Sequence, residues 1–381
     1  MTASTTADNP TAQPIEAIAV LTSGGDAPGM NAAVRAVTQA AAAQGIVVWG
    51  VENGFDGLID GRLRPLTTLS RSLRPVVRLE VDQAAGQGGT ILGTARSPRF
   101  LTPASRAEAA RTFSARNLSG LVVIGGNGSL AGAHAIASEH GIPVVGIPAS
   151  IDNDIGLTRE SIGVDTALNT IVEACDRISD TASAHRRAFV IEVMGRDSGY
   201  LAFAAANATF ADAVLLPELR LSAEEAVATV ADALLRCFAP NSPKRQVIII
   251  KAEGVPISTE TLVAKVTEEL ERAAPYTARQ VDIRATVLGH IVRGGVPTFR
   301  DRMLAGRMGL AAVEALVGGH SDVMVGWDRN TGAGIPTEDS WIQLFPIPDV
   351  LAETEALLSG ESPVTRDRMS RMSRLGRYLS V

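Results

Sequence analysis

Nine short runs of the chain, at 15–23, 47–53, 121–126, 143–148, 189–194, 212–217, 246–253, 282–288 and 322–328, are rich in Val, Ile and Leu at consecutive positions. A strand covered on both faces leaves that signature, whereas a strand with one wet face alternates. Helical periodicity fills the intervals. Val164, Ala167, Leu168, Ile171, Cys175 and Ile178 fall on one stripe of 161–180, and Ser222 with Glu225 makes a capping box ahead of 226–238. Alternating strands and helices predict an α/β protein with mainly parallel sheets between helical layers. Two successive blocks of such units predict two sheets.

At 381 residues the chain is long for one core and suits two domains. Its 46% hydrophobic and 20% charged residues place it among globular rather than disordered chains. The balance of 35 Lys+Arg against 41 Asp+Glu gives a charge of -6, which argues against a nucleic-acid coat and makes any anion site local. Residues 1–14 are polar, without the apolar core of a signal peptide, and read as a disordered leader. No apolar run reaches the ~18 residues of a membrane span. A cytoplasmic protein is expected, with Cys175 and Cys237 as buried thiols rather than metal ligands. The segment 366–377 sets five arginines against Asp367, interleaved with Met369, Met372 and Leu375. It reads first as a solvated or surface-docked tail, with an anion-binding or subunit-contact arm as the alternative.

Candidate chemistry gathers where predicted strands end. The first run passes into a glycine turn at 21–31, LTSGGDAPGMN, which fits neither the P-loop nor the dinucleotide fingerprint. A second glycine segment at 88–96, GGTILGTAR, ends in Arg96, whose guanidinium can bridge phosphate oxygens. A third, GGNGSLAG at 125–132, carries Asn127 at its centre and opens a predicted helix, a setting that favours an anion. Taken singly, each is as readily a tight turn or a surface loop. Together, at carboxyl ends of parallel strands, they predict one ligand cleft. In IPASIDND at 147–154 the two-residue spacing turns Asp152 and Asp154 the same way; the plain alternative is an Asx-rich turn. Further on, Arg187 and Arg196 bracket one predicted strand, while Arg284, His290 and Arg293 follow at another. Such a set in an acidic chain predicts a pocket for a phosphorylated substrate. His290 by itself reads better as a structural histidine.

These residues resemble one family, the 6-phosphofructokinases, of the bacterial ATP-dependent type. TSGGDAPGMN, GGTILGTAR, VVIGGNGS, IDND, EVMGR, AEG and RATVLGHIVRGG occur in that order between about residues 15 and 330. The resemblance implies two Rossmann-like three-layer domains: 15–163 plus 292–342 binding the phosphoryl donor, and 164–291 plus 343–360 binding the sugar phosphate, with 361–381 a basic tail. It implies transfer of the γ-phosphoryl group of ATP, with Mg2+, to the 1-hydroxyl of fructose 6-phosphate. Asp152 is then the base, acting with Arg196, Gly24 and Ser150, the last standing where the family usually has Thr. Gly24, Arg96, Ser97, Gly126, Asn127, Gly128 and Ser129 match the donor site, and Asn127 and Asp154 the metal positions. Ser150, Asp152, Asp154, Arg187, Met194, Gly195, Arg196, Glu253, Arg284, His290 and Arg293 match the sugar-phosphate site. Two of the clamp arginines come from a neighbouring subunit in the family, so a homo-oligomer, dimer or tetramer, with shared sites is implied.

Three departures qualify the match. Asn127 stands where the family usually places a magnesium-associated Asp, which predicts weakened rather than abolished metal handling. Gly128 and Ala149 stand where pyrophosphate-dependent relatives carry Asp and Lys, which favours ATP. Arg35 matches one arginine of the bacterial effector site, but Gln39 and Ser179 stand where two more basic residues would be, so effector control is not expected. The alternatives are a pyrophosphate-dependent or other phosphosugar kinase of the same fold, or a non-catalytic phosphosugar-binding homologue.

Overall fold

The computed structural model describes residues 15–239, 242–328 and 334–379, with side chains through residue 371. Its strands are β1 (Ala17–Ser23), β2 (Val47–Val51), β3 (Leu63–Pro65), β4 (Thr67–Leu69), β5 (Pro75–Val77), β6 (Gly120–Gly125) and β7 (Val144–Pro148). After these come β8 (Arg187–Val193), β9 (Ala213–Leu215), β10 (Val247–Ala252), β11 (Asp282–Val287), β12 (Val323–Trp327), β13 (Ile335–Pro336) and β14 (Ile342–Pro346).

Eight of them form a sheet ordered β13-β14-β12-β7-β6-β1-β2-β3, four form a second ordered β11-β8-β10-β9, and β4 pairs with β5. In the larger sheet β2, β1, β6, β7 and β12 run parallel, with Ile18 opposite Gly120 and Leu121 opposite Val144. The smaller sheet is parallel throughout. All six residues of β6 and all five of β7 are buried, as their unbroken apolar runs require.

Helices cover both faces of each sheet. Met30–Ala43 and Phe299–Val317 pack together on one side of the larger sheet, close enough that a Cβ on Gly309 would lie 2.5 Å from that of Ala36. Gly54–Asp60, Pro103–Ala115 and Asn127–His140 fill the other side. On the smaller sheet, Val164–His185 and Tyr200–Thr209 oppose Ala223–Cys237 and Thr259–Ala273. The helix Val164–His185 carries the predicted stripe, and its apolar face joins one cluster that reaches both sheets. The expected capping box forms: Ser222 Oγ accepts from Glu225 N at 3.2 Å, and Glu225 Oε2 accepts from Ser222 N at 2.8 Å.

The nine predicted strands are present, and five short ones were not foreseen. One changes the organisation. Segment 343–360, expected with the smaller domain, instead gives β14 to the larger sheet, antiparallel to β12, with Ile342, Leu344 and Phe345 buried. Helix Ile347–Ser359 then packs on Asn127–His140. The chain reverses after β12, so the apolar run of β14 pairs between β12 and the short edge strand β13. Cys175 is buried, its thiol pushed up to about 12 by burial, while Cys237 is half-buried and raised for the same reason. The expected leader, 1–14, lies outside the described residues. The basic segment is helical over Pro363–Leu379, although the side chains of Arg374 and Arg377 lie outside them. Among the described residues no helix is long and apolar enough to cross a membrane.

Candidate active site

Because β1, β6 and β7 are adjacent and parallel, their carboxyl ends deliver Gly24, the Gly126–Ser129 turn and the 149–154 loop to one cleft of about 550 Å³. The second glycine segment is laced to the first turn. Asn31 accepts from Ile91 N at 2.7 Å and donates to the carbonyls of Gln87 and Gly88, while Thr94 Oγ1 donates to Gly24 O at 2.9 Å. Arg96 and Ser97 are thereby brought to the cleft wall.

Gly24 has a φ of +86°, and a Cβ there would lie 3.2 Å from Ser129 Oγ. A Cβ on Gly128 would meet nothing within 4 Å, so the cleft is open above it. The helix Asn127–His140 begins at this point, and no side chain caps its Gly126 end. Its leading N–H groups and dipole therefore face the cavity, where they favour an anion.

The loop after β7 is fixed from behind. Asn153 adopts a left-handed conformation, and its side chain accepts from Ser161 N and donates to Arg159 O, both at 3.0 Å. Ser161 Oγ donates to Ser150 O at 2.7 Å. Asp301, fully buried, accepts from the backbone N–H groups of Gly163 and Thr166 at 2.8 Å each, which ties this region to the helix Phe299–Val317.

Held this way, Asp152 and Asp154 both line the cleft. Asp154 Oδ1 accepts from Ser150 Oγ at 3.1 Å, and its Oδ2 accepts from Asn127 Nδ2 at 2.8 Å. Burial raises its pKa above the ordinary carboxylate value, against the pull of those hydrogen bonds. Asp152 Oδ1 is buried and has no hydrogen-bond partner. Burial chiefly, and then the Asp154 charge, push its pKa up to about 6, although the Arg293 guanidinium acts in the opposite direction.

Of the residues assigned to the sugar phosphate, the cleft takes in Ser150, Asp152, Asp154 and Arg293. Arg293 Nη1 donates to Asp26 O at 3.2 Å and lies against Gly25, on the donor side of the cleft rather than apart from it. Met194 is buried at the end of β8, and Gly195 takes a φ of +130°. Arg196 does not line that cleft; it borders a second cavity of about 840 Å³ with Asp197 and Glu218. Glu253 borders a third, with Lys251 and Glu192. Arg187 and Arg284 both pair with Asp282, at 2.9 and 2.8 Å. They stand towards the amino ends of β8 and β11, opposite the edge that carries Met194. His290 is exposed in the turn Gly289–Arg293. Within one chain, then, the donor turns, the carboxylates and Arg293 meet, while Arg187 and Arg284 stay apart. Arg35, from the thinned effector set, pairs with Asp82 at 2.7 Å.

The apolar end of the cleft escaped the sequence reading. Phe55 stacks on Phe100 with ring centroids 4.0 Å apart, and Pro98, Leu101, Ala131 and Ala135 continue the wall. Gly132 was its one trace: a Cβ there would lie 2.9 Å from the Phe55 ring. Arg106 braces this end, bidentate to Glu139 at 2.7 Å and donating to Phe100 O at 2.8 Å.

Such a cleft has an apolar slot, an anion-favouring turn and a carboxylate poised to accept a proton. Among the described residues no cluster of three His, Cys, Asp or Glu could cage a metal ion. One hydrogen-bonded carboxylate, Asp154, beside an anion site suits an ion like Mg2+, which is usually held by one or two carboxylates and by phosphate oxygens. Asn127 turns its amide nitrogen, a donor, towards that carboxylate.

A model of the phosphofructokinase family matches residues 17–316. The chain is similar to ATP-dependent 6-phosphofructokinase of Thermotoga neapolitana, with 46% identity over 345 residues, 90% of this chain and 99% of that protein. It is 47% identical to ATP-dependent 6-phosphofructokinase 1 of Thermus thermophilus over 310 residues, 81% of this chain and 88% of that one. Among solved structures it superposes on Pichia pastoris phosphofructokinase in the T-state with a TM-score of 0.80 and 30% identity, over 97% of this chain and 40% of that larger chain. The ordered motifs, the doubly covered parallel sheets and these likenesses agree: the chain belongs to the phosphofructokinase family.

Proposed function

We propose that the protein transfers the terminal phosphoryl group of ATP to the 1-hydroxyl of fructose 6-phosphate, giving ADP and fructose 1,6-bisphosphate. The observation that carries this reading is the Asp152 carboxylate, its Oδ1 buried and unpartnered, in the same cleft as the glycine turns. A base needs an unengaged lone pair and a pKa near the working pH; Asp152 Oδ1 has no hydrogen-bond partner, and its carboxyl is raised to about 6. The hydroxyl proton passes to Asp152 as the alcohol oxygen forms its bond to phosphorus and the bond to the ADP oxygen breaks.

Phosphoryl transfer otherwise asks for position and charge stabilisation. The open backbone at Gly126–Ser129 receives the donor phosphates, Arg96 offers a guanidinium from the wall, and the Phe55–Phe100 end accommodates the base. Asp154 is the carboxylate for Mg2+, which when bound neutralises phosphate charge, and Asn127 holds that carboxylate in place. ATP is favoured over pyrophosphate because the space above Gly128 is clear. Arg187 and Arg284 point to a clamp completed by a second copy of the chain, since neither reaches the cleft of its own chain.

The test is an assay of ATP and of pyrophosphate, each at saturating fructose 6-phosphate, across Mg2+ concentration. Turnover with ATP supports the reading. Robust turnover with pyrophosphate overturns the donor assignment, and binding of fructose 6-phosphate without turnover on either donor overturns the enzyme.

A further inference from the structure

Behind the carboxylate loop lies a cation that the transfer chemistry does not use. Arg368, on the helix Pro363–Leu379, has a side chain only 11% exposed, and its guanidinium is 3.6 Å from Glu218 Oε1, itself 10% exposed. The same guanidinium lies over the Tyr200 ring, 4.9 Å from its centroid. Glu218 in turn accepts the Gly199 N–H on both oxygens, at 2.9 and 3.1 Å.

Gly199 closes the short loop that begins at Gly195 and carries Arg196. That loop has little slack. A Cβ on Gly199 would lie 2.6 Å from Glu218 Oε2, and one on Gly254 would lie 1.9 Å from Arg196 O. Asp154, Asp197, Ser198, Glu218 and Arg368 also border one small internal cavity, so the cation shares a cavity with three carboxylates, including the one assigned to the metal.

We infer that Arg368 is a positioning residue: it keeps Glu218 oriented on Gly199 N–H, and so fixes the loop that presents Arg196 to the reacting phosphate. Glu218 engages that N–H with both oxygens, so a carboxylate no longer held by the guanidinium can turn and release the loop. Tyr200, the first residue of the helix Tyr200–Thr209, lies under the same guanidinium, so the loop's exit is held as well. The basic C-terminal helix thereby becomes part of the catalytic framework. This inference rests on the kinase reading above, in which Arg196 meets the transferring group.

A double-mutant cycle tests it on the full-length chain, with kcat, KM for ATP and thermal midpoint measured for each variant. Arg368→Met is expected to lower kcat about tenfold, the scale of a small misplacement of a catalytic group, with KM for ATP within about twofold of wild type. In an Arg196→Lys background the same change is expected to cost less than about twofold, because the group being positioned has already been altered. Should the Met variant not fold, Arg368→Lys keeps the charge without the planar fork; it is expected to lose about threefold and to show the same collapse in the Arg196→Lys background. Unchanged kcat with only a lower thermal midpoint, or equal losses in both backgrounds, overturns the inference. A wild type without turnover removes the function reading and this inference together. A normally active wild type with an additive cycle removes this inference alone.

Discussion

The amide nitrogen of Asn127 lies 2.8 Å from Oδ2 of Asp154. A carboxylate at 127 would put two negative groups at that separation, where repulsion on the order of 6 kcal/mol is expected at an effective dielectric near 20. Protonation or a divalent cation would have to relieve it. The amide instead orients Asp154 without either. Asn127→Asp is therefore expected to lower the thermal midpoint of the metal-free protein, to recover it as Mg2+ is added, and to lower the half-saturating Mg2+ for turnover severalfold. Mg2+ titrations of both proteins, by melting and by rate, check this; superimposable curves would dispose of it.

Asp152 makes a prediction in pH. Its pKa in the fold, about 6, is above the ordinary value of 3.8, so the stability it contributes is fully present below pH 3.8 and is lost as pH rises through 6. Asp152→Asn removes the buried charge. The variant should melt above wild type at pH 8, with the gap closing towards pH 4, while kcat falls by about 10²- to 10⁴-fold for loss of the base. In wild type the acid limb of kcat/KM should bend near pH 6. Melting curves from pH 4 to 8, read beside rates, separate the two effects.

Gly128 leaves the donor channel clear, since a side chain there would meet no neighbour. Gly128→Asp should fold normally and place a carboxylate in the path of the nucleotide phosphates. A fall of tenfold or more in kcat/KM for ATP, about 1.4 kcal/mol per tenfold, is expected, with a smaller fall for pyrophosphate. Steady-state kinetics on both donors decide it, and equal losses would show that the position does not discriminate.

Arg187 and Arg284, both held by Asp282, make a prediction about assembly. If a second copy supplies them, Arg284→Ala should raise KM for fructose 6-phosphate at least tenfold with KM for ATP unchanged. Mixing it with Asp152→Asn under subunit exchange should then restore activity, because some hybrid sites carry neither lesion. No recovery on mixing would contradict a shared site.

Much of this was legible in the sequence, for identifiable reasons. Strands β6 and β7 announced themselves because both faces are buried, whereas Asp152 and Asp154 share the cleft through a turn with a left-handed Asn153 rather than through the extended chain their spacing suggested. Strand β14 was not foreseen, and its segment 343–360 was placed with the smaller domain by resemblance, because no local pattern says against which sheet a run will pair. The Phe55–Phe100 stack was invisible because aromatic residues 45 positions apart carry no local pattern, and Asp301 because a buried carboxylate in a helix reads as surface. Arg368 stands among the tail's arginines, which read as solvated or docked at the surface; the packing of its helix turns that side chain inward, over Tyr200. Tertiary contacts of this kind are not encoded in any window of residues.

The most direct test is single-turnover conversion of fructose 6-phosphate by excess enzyme with Mg2+ and ATP, run on wild type and on Asp152→Asn. Stoichiometric ADP and fructose 1,6-bisphosphate from the wild type, and a rate at least a hundredfold lower from the variant with both substrates still bound, is the predicted result. Equal rates from the two proteins would contradict it.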